Sequence, residues 1–147
     1  MKITLCGSIF FINEMNEWKS KLEKAGHKVK MPPTQIILNN GESMSAKNFY
    51  QKRKKADISD KHVWDRKKQA IKDHFEKIEW CEAVLVVNED KNGIEGYIGP
   101  NTFLEIGIAY YLGKKIYCTN PLPIMASTEE LIVMDIRQIN EEGIELL

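Results

Sequence analysis

Residues 2–31, KITLCGSIFFINEMNEWKSKLEKAGHKVKM, decide the fold of this chain. Lys2 to Cys6 has strand composition and runs directly into Gly7-Ser8, after which the period changes. Met15, Trp18, Leu22 and Ala25 then recur at helical spacing, with Gly26 as the stop. His27 to Met31 reads as a second strand, ended by Pro32-Pro33. A strand, a helix and a strand joined this tightly imply a right-handed crossover, and a right-handed crossover implies a parallel sheet.

The rest of the chain extends that unit. Residues 34 to 46 carry Asn39-Asn40-Gly41 and read as a surface loop, a candidate flap over a site. From about Ala46 the chain turns helical, with a break near the N-cap pair Ser59-Asp60. Val63, Lys67, Ala70, Ile71, His74, Phe75 and Ile78 then form one face of a long helix ending near Cys81, the lysine at its edge. Ala83 to Val87 (AVLVV) is the signature of a central strand buried on both faces. Asn88 to Gly99 follows as a polar, glycine-rich loop of a length that tends to be functional. Gly99 to Gly113 reads as a helix capped by Asn101 or Thr102, stopped by Gly113 and buried over most of its circumference. A strand over Lys115 to Thr119, a short helix from Thr128 through Met134 and a fifth strand around Ile136 to Ile139 complete one α/β domain over residues 1–147, a doubly wound parallel sheet of about five strands.

Composition narrows the class. The chain has 147 residues, 43% apolar and 29% charged, and net charge zero, as for an ordinary soluble globular protein. No apolar run approaches the roughly 18 residues needed to span a bilayer, and a single lysine before a strand-like run does not read as a signal peptide. The expected location is cytoplasmic, with no membrane partner. Cys6, Cys81 and Cys118 lack C-x-x-C spacing and a nearby histidine pair, so buried free thiols are expected rather than disulfides or a metal site. Residues 47 to 77 hold eleven Lys or Arg against five Asp or Glu. That excess is either a solvated helix face or an attraction for a phosphate-bearing ligand. Without net charge or a recognition motif, nucleic acid is not the expected partner.

In a doubly wound sheet, ligands bind beyond the carboxyl ends of the strands where strand order reverses. For the order 2-1-3-4-5 that point lies between the first and third strands, so Gly7-Ser8, the loop starting at Asn88 and the first turn of the Glu105 helix should border one crevice. Gly7-Ser8 can bring backbone N–H groups and a hydroxyl to phosphate or sugar oxygens, or can simply serve the turn. Neither G-x-G-x-x-G nor a Walker A lysine is present. Glu105 is the one charge in its helix. Burying a carboxylate costs several kcal/mol unless it finds donors or keeps its proton. It is therefore a functional group, a residue on the helix's wet stripe, or the partner of a buried cation such as Arg53.

Leu5-Cys6-Gly7-Ser8-Ile9 after the first strand, Ala83 to Val87, and Asn101-Thr102-Phe103-Leu104-Glu105-Ile106-Gly107-Ile108-Ala109 together resemble the nucleoside 2-deoxyribosyltransferase superfamily, which includes the 2′-deoxynucleoside 5′-monophosphate N-glycosidases. The resemblance implies a flavodoxin-like (Rossmann-like) fold, cleavage or transfer at an N-glycosidic bond, a small-molecule nucleoside or nucleotide as partner, and no cofactor. The family's nucleophilic glutamate falls on Glu105. The position that assists the departing base falls on His74, with Asp73 beside it. A lone histidine on an apolar face is otherwise a core residue. Gly99 stands where transferases have an aspartate, and Phe10 where phosphate-handling members have an arginine. Tyr97, Phe10 and Trp64 are candidates to stack on a base or cover the sugar, and Asn88 and Asn101 to bind hydroxyls. The resemblance further implies at least a homodimer, in which Asn120, Ser127 or Thr128 completes a neighbour's pocket and Tyr110-Tyr111 lines the interface. The rival expectation is a catalytically inactive nucleotide-binding sensor of the same fold.

Overall fold

Alternation along two central strands sets the layers. The computed structural model describes residues 1–147, the side chains of residues 145 and 146 apart. In chain order its elements are β1 (Lys2–Gly7), α1 (Ile12–Lys24), β2 (Lys28–Lys30), β3 (Gln35–Ile37), β4 (Ser43–Ser45), α2 (Ala46–Lys55), α3 (Lys61–Trp80), β5 (Ala83–Val87), α4 (Pro100–Tyr111), β6 (Lys115–Cys118), α5 (Thr128–Ile132) and β7 (Arg137–Gln138). Short 3-10 helices cover Ile9–Phe11 and Glu141–Leu146.

The main sheet runs β2-β1-β5-β6-β7 and every pairing in it is parallel. Counting only its own strands, this is the expected order 2-1-3-4-5. Ile3 and Leu5 of β1, with Ala83, Leu85 and Val87 of β5, join Met15, Trp18 and Leu22 of α1 in one core. Cys6, Val84 and Val86 join Ile78 of α3 and Ile106 and Ala109 of α4 in the second core, on the other face. All five residues of β5 are buried, as the β-branched run requires. Gly7 stands opposite Val87. A Cβ built on Gly7 would lie 2.7 Å from the Val87 carbonyl oxygen, so only glycine lets the two strands close here.

Three expectations are corrected. Residues 34–46 are not an irregular loop but contain an antiparallel hairpin, β3 with β4, in which Ile36 faces Met44. Ile36 and Leu38 alternate inward and pack with Ala46, Phe49 and Val63 in a small third core, and the surrounding polar residues masked that alternation. The N-cap of α4 is Gly99, with Pro100 at the first helical position where its missing N–H costs nothing, so neither Asn101 nor Thr102 caps the helix. Nor is α4 enclosed: Thr102, Glu105, Ile106 and Ala109 are buried, while Leu104 is 51% and Tyr111 84% exposed. The helix packs through one stripe, and its apolar composition extends beyond it. Among the described residues no helix is long and apolar enough to cross a membrane.

Candidate active site

The carboxyl ends of β1 and β5 lie side by side, and a cavity of about 750 Å³ opens beyond them. Gly7 and Ser8 line it from the end of β1, His74 from α3, Asn101 and Glu105 from the first turns of α4, and Tyr50 and Arg53 from α2. The α2 and α3 wall thus closes the crevice that the sheet topology creates.

Glu105 is 3% exposed. Asn101, one helical turn earlier, donates its amide N–H to Glu105 Oε1 at 2.9 Å, and Lys67 Nζ from α3 donates to Asn101 Oδ1 at 3.0 Å. An ammonium group can only donate, so Lys67 fixes which way the carboxamide points and turns its NH₂ onto the carboxylate. Glu105 Oε2 is buried without a hydrogen-bond partner. It faces His74 Nε2 at 3.8 Å, and that nitrogen lies 3.5 Å from Cys6 Sγ.

Burial governs how these groups titrate. Desolvation pushes Glu105 up to about 8, against the pull of the Lys67 charge, the nearby Cys6 thiol and the bond from Asn101. His74 is driven down to about 4 by burial and then by the Lys77 charge, so the imidazole is neutral at pH 7. Lys67 falls to about 8 through burial and the neighbouring Arg53 charge. Desolvation also raises the Cys6 thiol well above its ordinary range, so it is a neutral S–H. The pair His74–Glu105 is therefore not an ion pair at neutral pH. Cys6, His74 and Glu105 bring one ligand atom each within 4.8 Å of one another and are the side chains that could hold a divalent ion.

Of the residues singled out from sequence, Gly7, Ser8, Arg53, Trp64, Asp73, His74, Tyr97, Gly99, Asn101 and Glu105 line the cavity. Asp73 accepts a bond from Gln69 at 2.6 Å. Phe10 lies outside the lining, with its ring edge-on to Tyr50 at 6.4 Å between centroids. Asn88 is fully buried behind the site. Its side chain accepts from Thr119 N and Asn120 N and donates to the carbonyls of Gly96, Asn120 and Pro121, stapling the long loop to the end of β6. Ser127, at the N-cap of α5, is also outside the lining.

Sequence reasoning missed Cys6, Lys67, Lys91 and Tyr50 as parts of this region. Lys67 was the readable one, since it lies two helical turns before His74 on the same face. Lys91 had no local signal. It reaches Ser8 Oγ at 3.3 Å and Tyr50 OH at 3.4 Å, and sits about 5 Å over the rings of Phe10, Tyr50 and Tyr97.

No family model matches this chain, and no curated protein matches it in sequence. Solved structures share its fold, among them the two that follow. The 2-deoxyribosyltransferase of Bacillus psychrosaccharolyticus superposes with a TM-score of 0.62 over 100% of this chain and 92% of its own, at 16% identity. The CMP N-glycosidase BcmB of Clostridium botulinum superposes with a TM-score of 0.53 over 100% of both chains, also at 16% identity. At the level of fold, the likeness expected from the sequence holds.

Proposed function

We propose that this chain cleaves or transfers at the N-glycosidic bond of a nucleoside or nucleotide, with Glu105 as the nucleophile. One observation carries the reading: a carboxyl group buried at the cavity wall, with one oxygen fixed by Asn101 and the other left without a partner. The two structural neighbours, an enzyme that transfers 2-deoxyribosyl groups and one that acts as a CMP N-glycosidase, support it.

Ionised Glu105 attacks C1′ of the sugar as the bond to the base nitrogen lengthens, through an oxocarbenium-like transition state, and forms a glycosyl ester. The nitrogen of the departing base takes up a proton from water admitted to the cavity beside Asp73 and His74, whose imidazole is neutral at pH 7. Water or a second base then takes the sugar and frees the carboxylate. Lys67, acting through Asn101, favours the ionised nucleophile and keeps one of its oxygens in place. The enzyme works as a homo-oligomer in this reading. The exposed Leu104, Tyr110 and Tyr111 of α4 support a covered face there, and sedimentation of the wild type beside Tyr111→Glu tests it.

The burial of Glu105 favours the sensor reading instead: desolvation pushes it up to about 8, so at pH 7 much of it holds a proton and is no nucleophile. Incubation of wild type and Glu105→Ala with deoxynucleosides and their monophosphates, with and without a second free base, decides between the two. Base release or exchange by wild type that falls at least a thousandfold in the variant supports the nucleophile, whereas ligand-induced thermal stabilisation without turnover supports the sensor.

A further inference from the structure

The cavity is lined by seven Lys or Arg side chains against three carboxylates. Among the described residues, none of those seven has a carboxylate oxygen within 4 Å; the ion pairs of the chain lie elsewhere. Arg66 even buries its Nη1 with no acceptor. Cations drawn partly out of water without counter-charges destabilise a fold unless something else supplies the charge.

Lys91 shows how one of them is held. Three aromatic faces surround its ammonium at about 5 Å, a setting that stabilises a cation without neutralising it. Its two hydrogen-bond partners are the hydroxyl oxygens of Ser8 and Tyr50, whose O–H protons point away from an ammonium that can only donate. Arg53, half-buried, stacks its guanidinium on Phe49 and Tyr50 at 4.9 and 5.5 Å and makes no side-chain hydrogen bond among the described residues. Two positive charges and two hydroxyl donors therefore converge on one side of the cavity, and among the described residues no carboxylate answers them.

We propose that this cluster, Lys91, Arg53, Ser8 and Tyr50, is the binding site for a phosphate monoester, so that the substrate is a 5′-phosphorylated nucleoside rather than a free one. The assignment rests on the reading of the cavity as a glycoside-cleaving pocket with Glu105 at the sugar. A phosphate dianion accepts from the guanidinium fork, the ammonium and both hydroxyls at once, as charge-assisted bonds of the strong kind. The neutral 5′-hydroxyl of a nucleoside would leave both cations unanswered, and discrimination between the two ligands follows.

Calorimetric titration of Glu105→Gln, which removes turnover from the measurement, tests this with the four deoxynucleosides and their 5′-monophosphates. At least one monophosphate should bind roughly 30-fold more tightly than its nucleoside, about 2 kcal/mol for two charge-assisted contacts. Adding Lys91→Gln and Arg53→Gln should bring that ratio to within about threefold. Lys91→Arg should restore most of it, which separates lost charge from damaged folding. Equal affinity for both members of every pair, or no saturable binding of any monophosphate, overturns the proposal. Its fate is distinct from that of the catalytic reading: tight monophosphate binding with no base released by wild type leaves the phosphate site standing without the glycosidase. Turnover of free nucleosides with no gain from phosphate does the reverse.

Discussion

The imidazole of His74 and the carboxyl of Glu105 face each other across 3.8 Å, and the same burial moves their titrations in opposite directions, His74 down to about 4 and Glu105 up to about 8. Between those values both are uncharged. A nucleophilic Glu105 must lose its proton, so kcat/KM should climb about tenfold per pH unit below 8 and bend over near 8, where Lys67 loses the charge that supports the carboxylate, with no further limb from His74 until near pH 4. Lys67 opposes the desolvation of Glu105. Lys67→Met should therefore move the limb to higher pH, and a pH profile of the variant that overlays the wild type would remove Lys67 from this role.

Stability carries the opposite sign. The native Glu105 titrates near 8 and the unfolded one near 4.5. Its protonated form therefore favours the fold below about pH 4.5, and that contribution is lost as pH rises through 8. Glu105→Gln keeps the shape and cannot ionise. Its melting temperature should exceed that of wild type by several degrees at pH 9, and the gap should shrink at pH 5. Scanning calorimetry at the two pH values measures it.

Asn101 has one partner on each side, Lys67 on its oxygen and Glu105 on its nitrogen. Asn101→Ala should lower kcat by about 10- to 100-fold, the equivalent of one buried bond to a charged group, with KM little changed. Asn101→Asp sets a second carboxylate one turn from Glu105 and should carry the activity limb upward in pH. Both are read from steady-state kinetics on the intact protein.

Asn88 is a structural staple. Its truncation to alanine would leave the Asn120 N–H and the carbonyls of Gly96 and Pro121 without their partner, while Thr119 N keeps its bond to the Val86 carbonyl, and should cost about 3 kcal/mol, read as a lower urea midpoint with unchanged slope. Gly96, held in the same loop at φ +62° with the Pro121 carbonyl 2.3 Å from where a Cβ would be, should respond to alanine in the same direction.

What could be read from sequence divides along physical lines. Glu105 was legible because a single charge in an apolar helix stands out against its neighbours, and the strand order is the one common to doubly wound sheets, into which Gly7-Ser8 and the β-branched run at Ala83 to Val87 fit as first and third strands. Cys6 looked like any buried thiol, since its place beside His74 depends on β1 packing against α3. The hairpin at Ile36 and Met44 was hidden because its alternating apolar positions are few and lie among asparagines and serines. Lys91 was illegible for a different reason: a lysine in a polar loop reads as solvated, and only the folded loop carries it over Phe10, Tyr50 and Tyr97.

The small third core under β3, β4 and α2 has a consequence for how this protein can change over generations. Ile36, Leu38, Ala46 and Phe49 support Tyr50 and Arg53, whereas Glu105 and Asn101 are anchored on the helix packed against the parallel sheet. Tyr50 and Arg53 thus stand on a different core from the proposed bond-breaking groups, while Ser8 and Lys91 of the same cluster follow the sheet strands β1 and β5. Mutations can accumulate in the segment from residue 33 to 55, altering which molecule is accepted, while the scissile machinery keeps its footing. Lineages built on this plan are free to diversify in appetite without reinventing their chemistry.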